Sequence, residues 1–239
     1  MASDAEHSQA IFSFHLVSLP LLKVPQRLLS SGLPKKIPGL NHAEHFFTMR
    51  LGEPILSLPR YQLKNIAFFA WWKDELSLTK YLEQPTSRFF NRGWHVRMRL
   101  YRRWGEVSEL KNTVALPHVA VPDRPMVAVT LARLKILQTP RFIRWGKPVE
   151  SQVRDHCGQT LALAGLRPLN TFSTFSVWKK ESEMTQMVQG RNKLTGGESH
   201  SLAMQERIRN DFHHEFTTMR FAPFKELGTW NGISNYTLQ

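Results

Sequence analysis

Sulfur is nearly absent as a reactive group: Cys157 is the one cysteine in the chain. No intrachain disulfide and no thiolate metal cage can therefore form. Acidic residues are scarce, 19 against 32 Lys and Arg, which leaves a formal net charge of +13. Carboxylate pairs for acid–base chemistry are poorly supplied, and an acidic partner is favoured: nucleic acid, an anionic membrane surface or a carboxylate-bearing ligand. The cations come in short groups such as Arg97–Arg103, with no long basic tail, so no nucleic-acid arm is expected. No apolar run is long enough to cross a bilayer. Ile11–Leu22 is short, and His15 and Pro20 interrupt it. The polar, acidic first ten residues do not read as a signal peptide. A cytoplasmic protein is expected, at most peripheral to a membrane. The G-x-S-x-G elbow, the Walker loop, H-E-x-x-H and the dinucleotide fingerprint are all missing, and Gly196-Gly197 reads only as loop. Cys157 follows His156 directly, but neighbours in sequence need not face each other.

What is present is a globular composition: 239 residues, 41% hydrophobic and 11% aromatic. Alternation and aromatic content predict strands over Ile11–Leu19, His45–Arg50, Leu63–Trp72, Gly93–Trp104, Met126–Ile136, Leu161–Arg167, Asn170–Trp178 and Glu215–Leu227. Helices are predicted over Lys23–Ser31, Lys73–Leu82, Glu181–Gln189 and Ser199–Phe212, with a short turn at Pro85–Arg92. A further helical stretch, Thr139–His156, is expected to be interrupted at Gly146 and Pro148.

The two halves of the chain rhyme. Phe69-Ala70-Trp71-Trp72-Lys73 matches Phe175-Ser176-Val177-Trp178-Lys179, and a helix follows each. Met98-Arg99-Leu100 is set against Met219-Arg220-Phe221 on the strand after that helix. Each half reads strand, helix, strand, strand, helix, strand, the order of the split βαβ, ferredoxin-like unit. The expected fold class is α+β: two tandem ferredoxin-like repeats whose sheets pack face to face as an α+β barrel within one chain. The boundaries expected are 1–110 for the first half, 111–125 for a proline-containing linker and 126–239 for the second half.

Histidines are the main candidates for chemistry. His7 and His118 fall in terminal and linker positions, His42 and His45 flank a loop and a strand start, and His95 lies on the basic face of its strand. His213-His214 spans a helix-to-strand junction, where one points in and one out. His200 alone sits on a helical stripe, with Met204 and Ile208, beside a glycine-rich loop. By pattern it is either a haem-iron ligand or a hydrogen-bonded core histidine.

Several segments taken together resemble the spheroidene monooxygenase family, the acyclic carotenoid ketolases. They are His45–Met49 through Gly52, Phe68–Asp74, Val96–Gly105, Val127–Leu134, Trp145 with Pro148, Phe172–Trp178, Ser199–Phe221 and Gly228-Thr229-Trp230. This chain departs from the family in reading Leu-Ala-Arg at 131–133 where the family has T-R-A, and in a longer, more basic stretch 190–199. The resemblance implies a dimeric α+β barrel holding one haem b. His200, in the H-x-x-A position with Ala203 and Met204, would be the fifth iron ligand. It also implies a monooxygenase that inserts oxygen from dioxygen into a C–H bond of an apolar, carotenoid-like substrate, with electrons from an external donor such as ferredoxin. Related barrels, the aldoxime dehydratases, use haem to remove water instead, and a basic α+β module binding RNA is the non-enzymatic alternative. Arg97, Arg99, Arg141 and Arg144 are candidates for the haem propionates, and Trp145, Phe175, Trp178 and Met204 for the pocket wall.

Overall fold

The computed structural model describes residues 9–29, 37–117, 124–189 and 199–237. The basic stretch 190–198, with the Gly196-Gly197 loop expected in it, lies outside them. Eight strands are described: β1 (Ile11–Ser18), β2 (Leu40–Met49), β3 (Tyr61–Trp72), β4 (Trp94–Glu106), β5 (Met126–Leu134), β6 (Gln159–Arg167), β7 (Thr171–Trp178) and β8 (His213–Leu227). The helices are α1 (Val24–Leu29), α2 (Glu75–Glu83), α3 (Thr139–Arg154), α4 (Glu181–Val188) and α5 (Ser199–Arg209). The strands close into one barrel in the order β1-β3-β2-β6-β7-β5-β8-β4. Each half thus contributes its first strand between its third and fourth, with its second outside the third. That is the ferredoxin-like sheet, occurring twice in one chain.

Alternation decides the two faces. Phe12, Phe14 and Leu16 of β1, Val127, Val129 and Leu131 of β5, and Met219 and Phe221 of β8 fill the barrel interior. The residues between them face outward, under the helices. The halves join along a long β4–β8 ladder and a short one, Phe47–Met49 against Ala164–Leu166. At the short seam, a Cβ on Gly165 would stand 2.8 Å from Phe46 Cβ, closer than real contacts allow, so glycine lets the aromatic ring pass.

The repeat is correct in register but needs one correction. Ile11 pairs with Trp72 and Met126 with Trp178, so the two halves superpose strand by strand. Arg97 then stands opposite Ser13 and Arg220 opposite the equivalent Ala128, so Arg97, not Arg99, is the counterpart of Arg220. The side chains agree. Arg97 Nη1 donates to Glu75 at 2.5 Å and to Thr79 at 3.2 Å; Arg220 Nη1 donates to Glu181 at 2.9 Å and to Thr185 at 3.4 Å. Each arginine ties the helix that follows Trp72 or Trp178 onto its own sheet.

Further boundaries differ from expectation. α3 runs unbroken through Gly146 and Pro148, because Pro148 lies on the more open side, where water can satisfy the carbonyl it leaves without a donor. α5 ends at Arg209 and β8 begins at His213, two residues before the expected start. β2 begins at Leu40, not His45, and most of its polar first half is buried.

That polar half has a reason. Glu44, 0% exposed, points into one end of the barrel and meets Arg133 at 2.5 Å, His42 at 3.0 Å and Arg167 at 3.2 Å. Burial opposes ionisation of Glu44, but the hydrogen bond with His42 and the charges of Arg133 and Arg167 outweigh it and hold the carboxyl at about 2. A depressed carboxyl gives stability that is present above the unfolded value and lost as pH falls through about 2. Glu44→Ala leaves Arg133 with Glu109 at 3.0 Å as its remaining carboxylate and Arg167 with none among the described residues, and is expected to cost about 3 kcal/mol in urea-monitored unfolding at pH 7.

Candidate active site

The outward face of the first half is packed solid. Phe68 stacks on Phe90 at 4.5 Å between ring centroids, His15 stacks on His95 at 4.7 Å, and Trp72, Leu78, Tyr81 and Leu82 complete the layer under α2. The register of the repeat gives the residues at the same places in the second half. His15 pairs with Phe68 and with His95; Thr130 pairs with Thr174 and with Thr218. Two imidazoles and a benzyl group are thus exchanged for three threonines, flanked by Ala128, Ala132 and Ser176. Small side chains there leave a hollow of 310 Å³ between the sheet and helices α3, α4 and α5. That is at the lower end of the roughly 300–1,000 Å³ usual for small-molecule sites.

The walls are apolar: Phe142, Ile143, Val149 and Val153 from α3, Met184, Met187 and Val188 from α4, and Ala203 and Met204 from α5. Charge enters at one side, where Arg60 holds Glu150 through two hydrogen bonds of 2.7 and 2.8 Å and Lys147 stands beside them. Lys147 is pushed below the usual lysine range, first by burial, against the pull of Glu150.

Two imidazoles line the hollow. His200, in the first turn of α5, borders the hollow and hydrogen-bonds to the Val188 carbonyl. Burial lowers its pKa, opposed by that hydrogen bond, and a neutral ring carries the lone pair that a metal needs. His213, at the start of β8, is held through Nδ1 by Asp211 at 2.9 Å and wedged among Phe142, Phe212 and Phe216. His213 is 5% exposed, whereas His200 is only half-buried and open to the hollow. His214 is exposed. The stripe on α5 also needs a correction. Ile208 is 86% exposed. Eight residues carry the chain about 80° past the starting face, at roughly 100° per residue. The inward positions are His200, Ala203 and Met204.

Of the residues to which the sequence points, His200, Met204, Phe175 and Trp178 border the hollow. The four arginines do not. Arg97 is engaged by Glu75 on the other half, and Arg99 lies over the Phe224 ring, 4.7 Å from its centroid. Arg144 is exposed and Trp145 half-buried, and neither borders the hollow. Arg141 instead fixes α5 against α3 and so sets the position of His200. It donates to the Glu206 carboxylate and carbonyl, both at 2.9 Å, and to the Asn210 carbonyl at 2.7 Å. Sequence pattern did not point to Arg60 and Lys147, the cations that do border the hollow, or to its threonine floor. The threonines were within reach of the repeat: extending the Phe69–Trp72 match back by one residue sets Phe68 against Thr174.

No family model matches the chain, and no curated protein matches it in sequence. Solved structures do match in shape. An aldoxime dehydratase crystallised with butyraldoxime is 9% identical, with 95% of this chain and 85% of that one covered and a TM-score of 0.54. A second aldoxime dehydratase is 8% identical, over 91% and 82%, at 0.52. A monooxygenase-like protein from Listeria innocua is 10% identical over 92% and 97%, at 0.30. The fold is that of the dimeric α+β barrels. At such identities the likeness concerns the fold alone, and the chemistry must be argued from the hollow.

Proposed function

We propose that the chain is a haem-dependent monooxygenase whose haem b lies in the hollow of the second half, with His200 as the iron's protein ligand. The observation that carries this is the pairing of a neutral, anchored imidazole with an apolar, hollow layer in the one half that lacks large floor residues. The residues suit the group. His200 is held on the Val188 carbonyl, the kind of anchor that orients a ligating histidine. Arg60 and Lys147, together with the Glu150 that both engage, leave one net positive charge at the rim, where a carboxylate would meet it. A bound haem supplies the iron at which dioxygen is activated with electrons from an external donor. The protein's own part is to exclude water with Phe142, Val153, Met184 and Met187, and to hold an apolar substrate in the hollow. An acyclic carotenoid-like substrate is the proposal that follows from the family resemblance, with a ferredoxin-type donor. The net charge of +13 would favour contact with an anionic membrane surface. No described helix is long and apolar enough to cross a membrane.

The test is spectroscopic. Reconstituted protein is expected to give a histidine-ligated Soret spectrum at one haem per chain, and His200→Ala is expected to lose that spectrum while keeping its far-UV circular dichroism. An unchanged spectrum in His200→Ala with a lost one in His213→Ala would move the ligand to β8. Oxygen consumption during turnover distinguishes oxygenation from the dehydratase reading, which releases water without oxygen.

A further inference from the structure

The floor of the hollow carries a row of hydroxyls. Thr130, Thr174 and Thr218 stand side by side on β5, β7 and β8, on the sheet wall across the hollow from the helix that carries His200. All three are half-buried although they lie under a helix layer, since the hollow itself exposes them. Thr130 Oγ1 and Thr218 Oγ1 are 3.4 Å apart, a long contact, and among the described residues the Thr174 hydroxyl has no partner. His213, on β8, is nine-tenths buried, and its Nε2 has no described partner. The Thr174 hydroxyl, facing the hollow without a described partner, is open to a bound group that supplies the missing bond. The first half shows the alternative, with the same three register positions filled by His15, Phe68 and His95 and the layer packed solid.

We infer that Thr174 and Thr218 donate hydrogen bonds to a small polar ligand bound on the sheet side, with Thr130 donating to Thr218, and that this row, not the apolar walls, fixes the orientation of dioxygen or of the substrate's polar atom. The inference rests on the haem reading, which would supply the iron for a small ligand bound in the hollow that His200 and these threonines line. Thr130, Thr174 and Thr218 are then positioning residues, chosen for a hydroxyl in a space where valine would fit equally well.

Valine is therefore the informative replacement, because it keeps the shape and removes the donor. Thr130→Val, Thr174→Val, Thr218→Val and the triple variant should load haem with the wild-type Soret spectrum. In the ferric protein, cyanide affinity should weaken roughly tenfold in the most affected variant, the equivalent of one hydrogen bond. In the ferrous carbon monoxide complex, the C–O stretch should move to higher frequency as the donor to its oxygen is lost. Serine at the same position should restore both. If the valine variants load haem yet keep the wild-type cyanide affinity and C–O stretch, the inference is wrong while the haem reading stands. If wild-type protein takes up no haem, both fall together.

Discussion

Phe68→Ala and Thr174→Phe, changes at one register position of the two halves, are expected to have opposite consequences. Phe68 is 1% exposed and meets Phe90 at 4.5 Å, His45 at 4.7 Å and Tyr81 at 5.8 Å between ring centroids. Its truncation removes the centre of that layer and leaves a void that neighbours on fixed strands cannot close. A loss of about 3–5 kcal/mol is expected in denaturant unfolding. Thr174→Phe places a ring where the hollow already is, so the overpacking cost of a filled core, about 1–3 kcal/mol, should be absent. The second variant is expected to fold with unchanged or higher stability and to lose haem loading, measured as pyridine haemochrome per chain. Wild-type loading in Thr174→Phe would show that the hollow is not the haem site.

Acid should unfold this protein in a window set by its buried histidines. His15 is held well below 6.5 by burial, then by His95, Arg97 and His45, against a hydrogen bond to the Phe90 carbonyl. His95 is lowered to about 4, by burial first and then by Arg97 and Lys225. His213 is also lowered to about 4, by burial, with Arg207 and Lys135 adding to it and Asp211 opposing it. In each case the folded state binds the proton less readily than the unfolded chain does. The stability at stake is thus fully present above the unfolded value of about 6.5 and is lost as pH falls through the folded value, near 4 for His95 and His213. At about 1.36 kcal/mol per pKa unit, His95 and His213 are each worth about 3 kcal/mol across that window, a large part of a typical folding stability. The Glu44 cluster follows only below 4.5. Unfolding free energies from urea titrations over a series of pH values between about 7.5 and 4 should therefore fall steeply well before carboxylates titrate. His95→Leu should flatten the slope by close to one proton, and a slope unchanged in that variant would remove His95 from the account.

Much of the architecture was open to reading along the chain because it is local. Strand alternation, the tryptophan that ends β3 and β7, and the glutamate that starts the next helix are encoded within a few residues of each other, and each occurs twice. The buried start of β2 was not. His42 and Glu44 fall before the expected strand start at His45, and only Arg133 and Arg167, far along the chain on β5 and β6, make Glu44 interior. Charged residues look exposed in a sequence, and only a partner across the barrel makes them interior. The cationic candidates failed to reach the hollow for the same reason: Arg97 and Arg141 are held by carboxylates that the sequence does not place beside them.

By itself, then, the sequence determined the repeat and the barrel, since periodicity and word order are properties of the chain. Which half is hollow was decided by tertiary structure. Phe68 and Thr174 each look ordinary in their own strand, and the cavity exists only because register sets three threonines in one row under a helix layer that does not reach down to fill it.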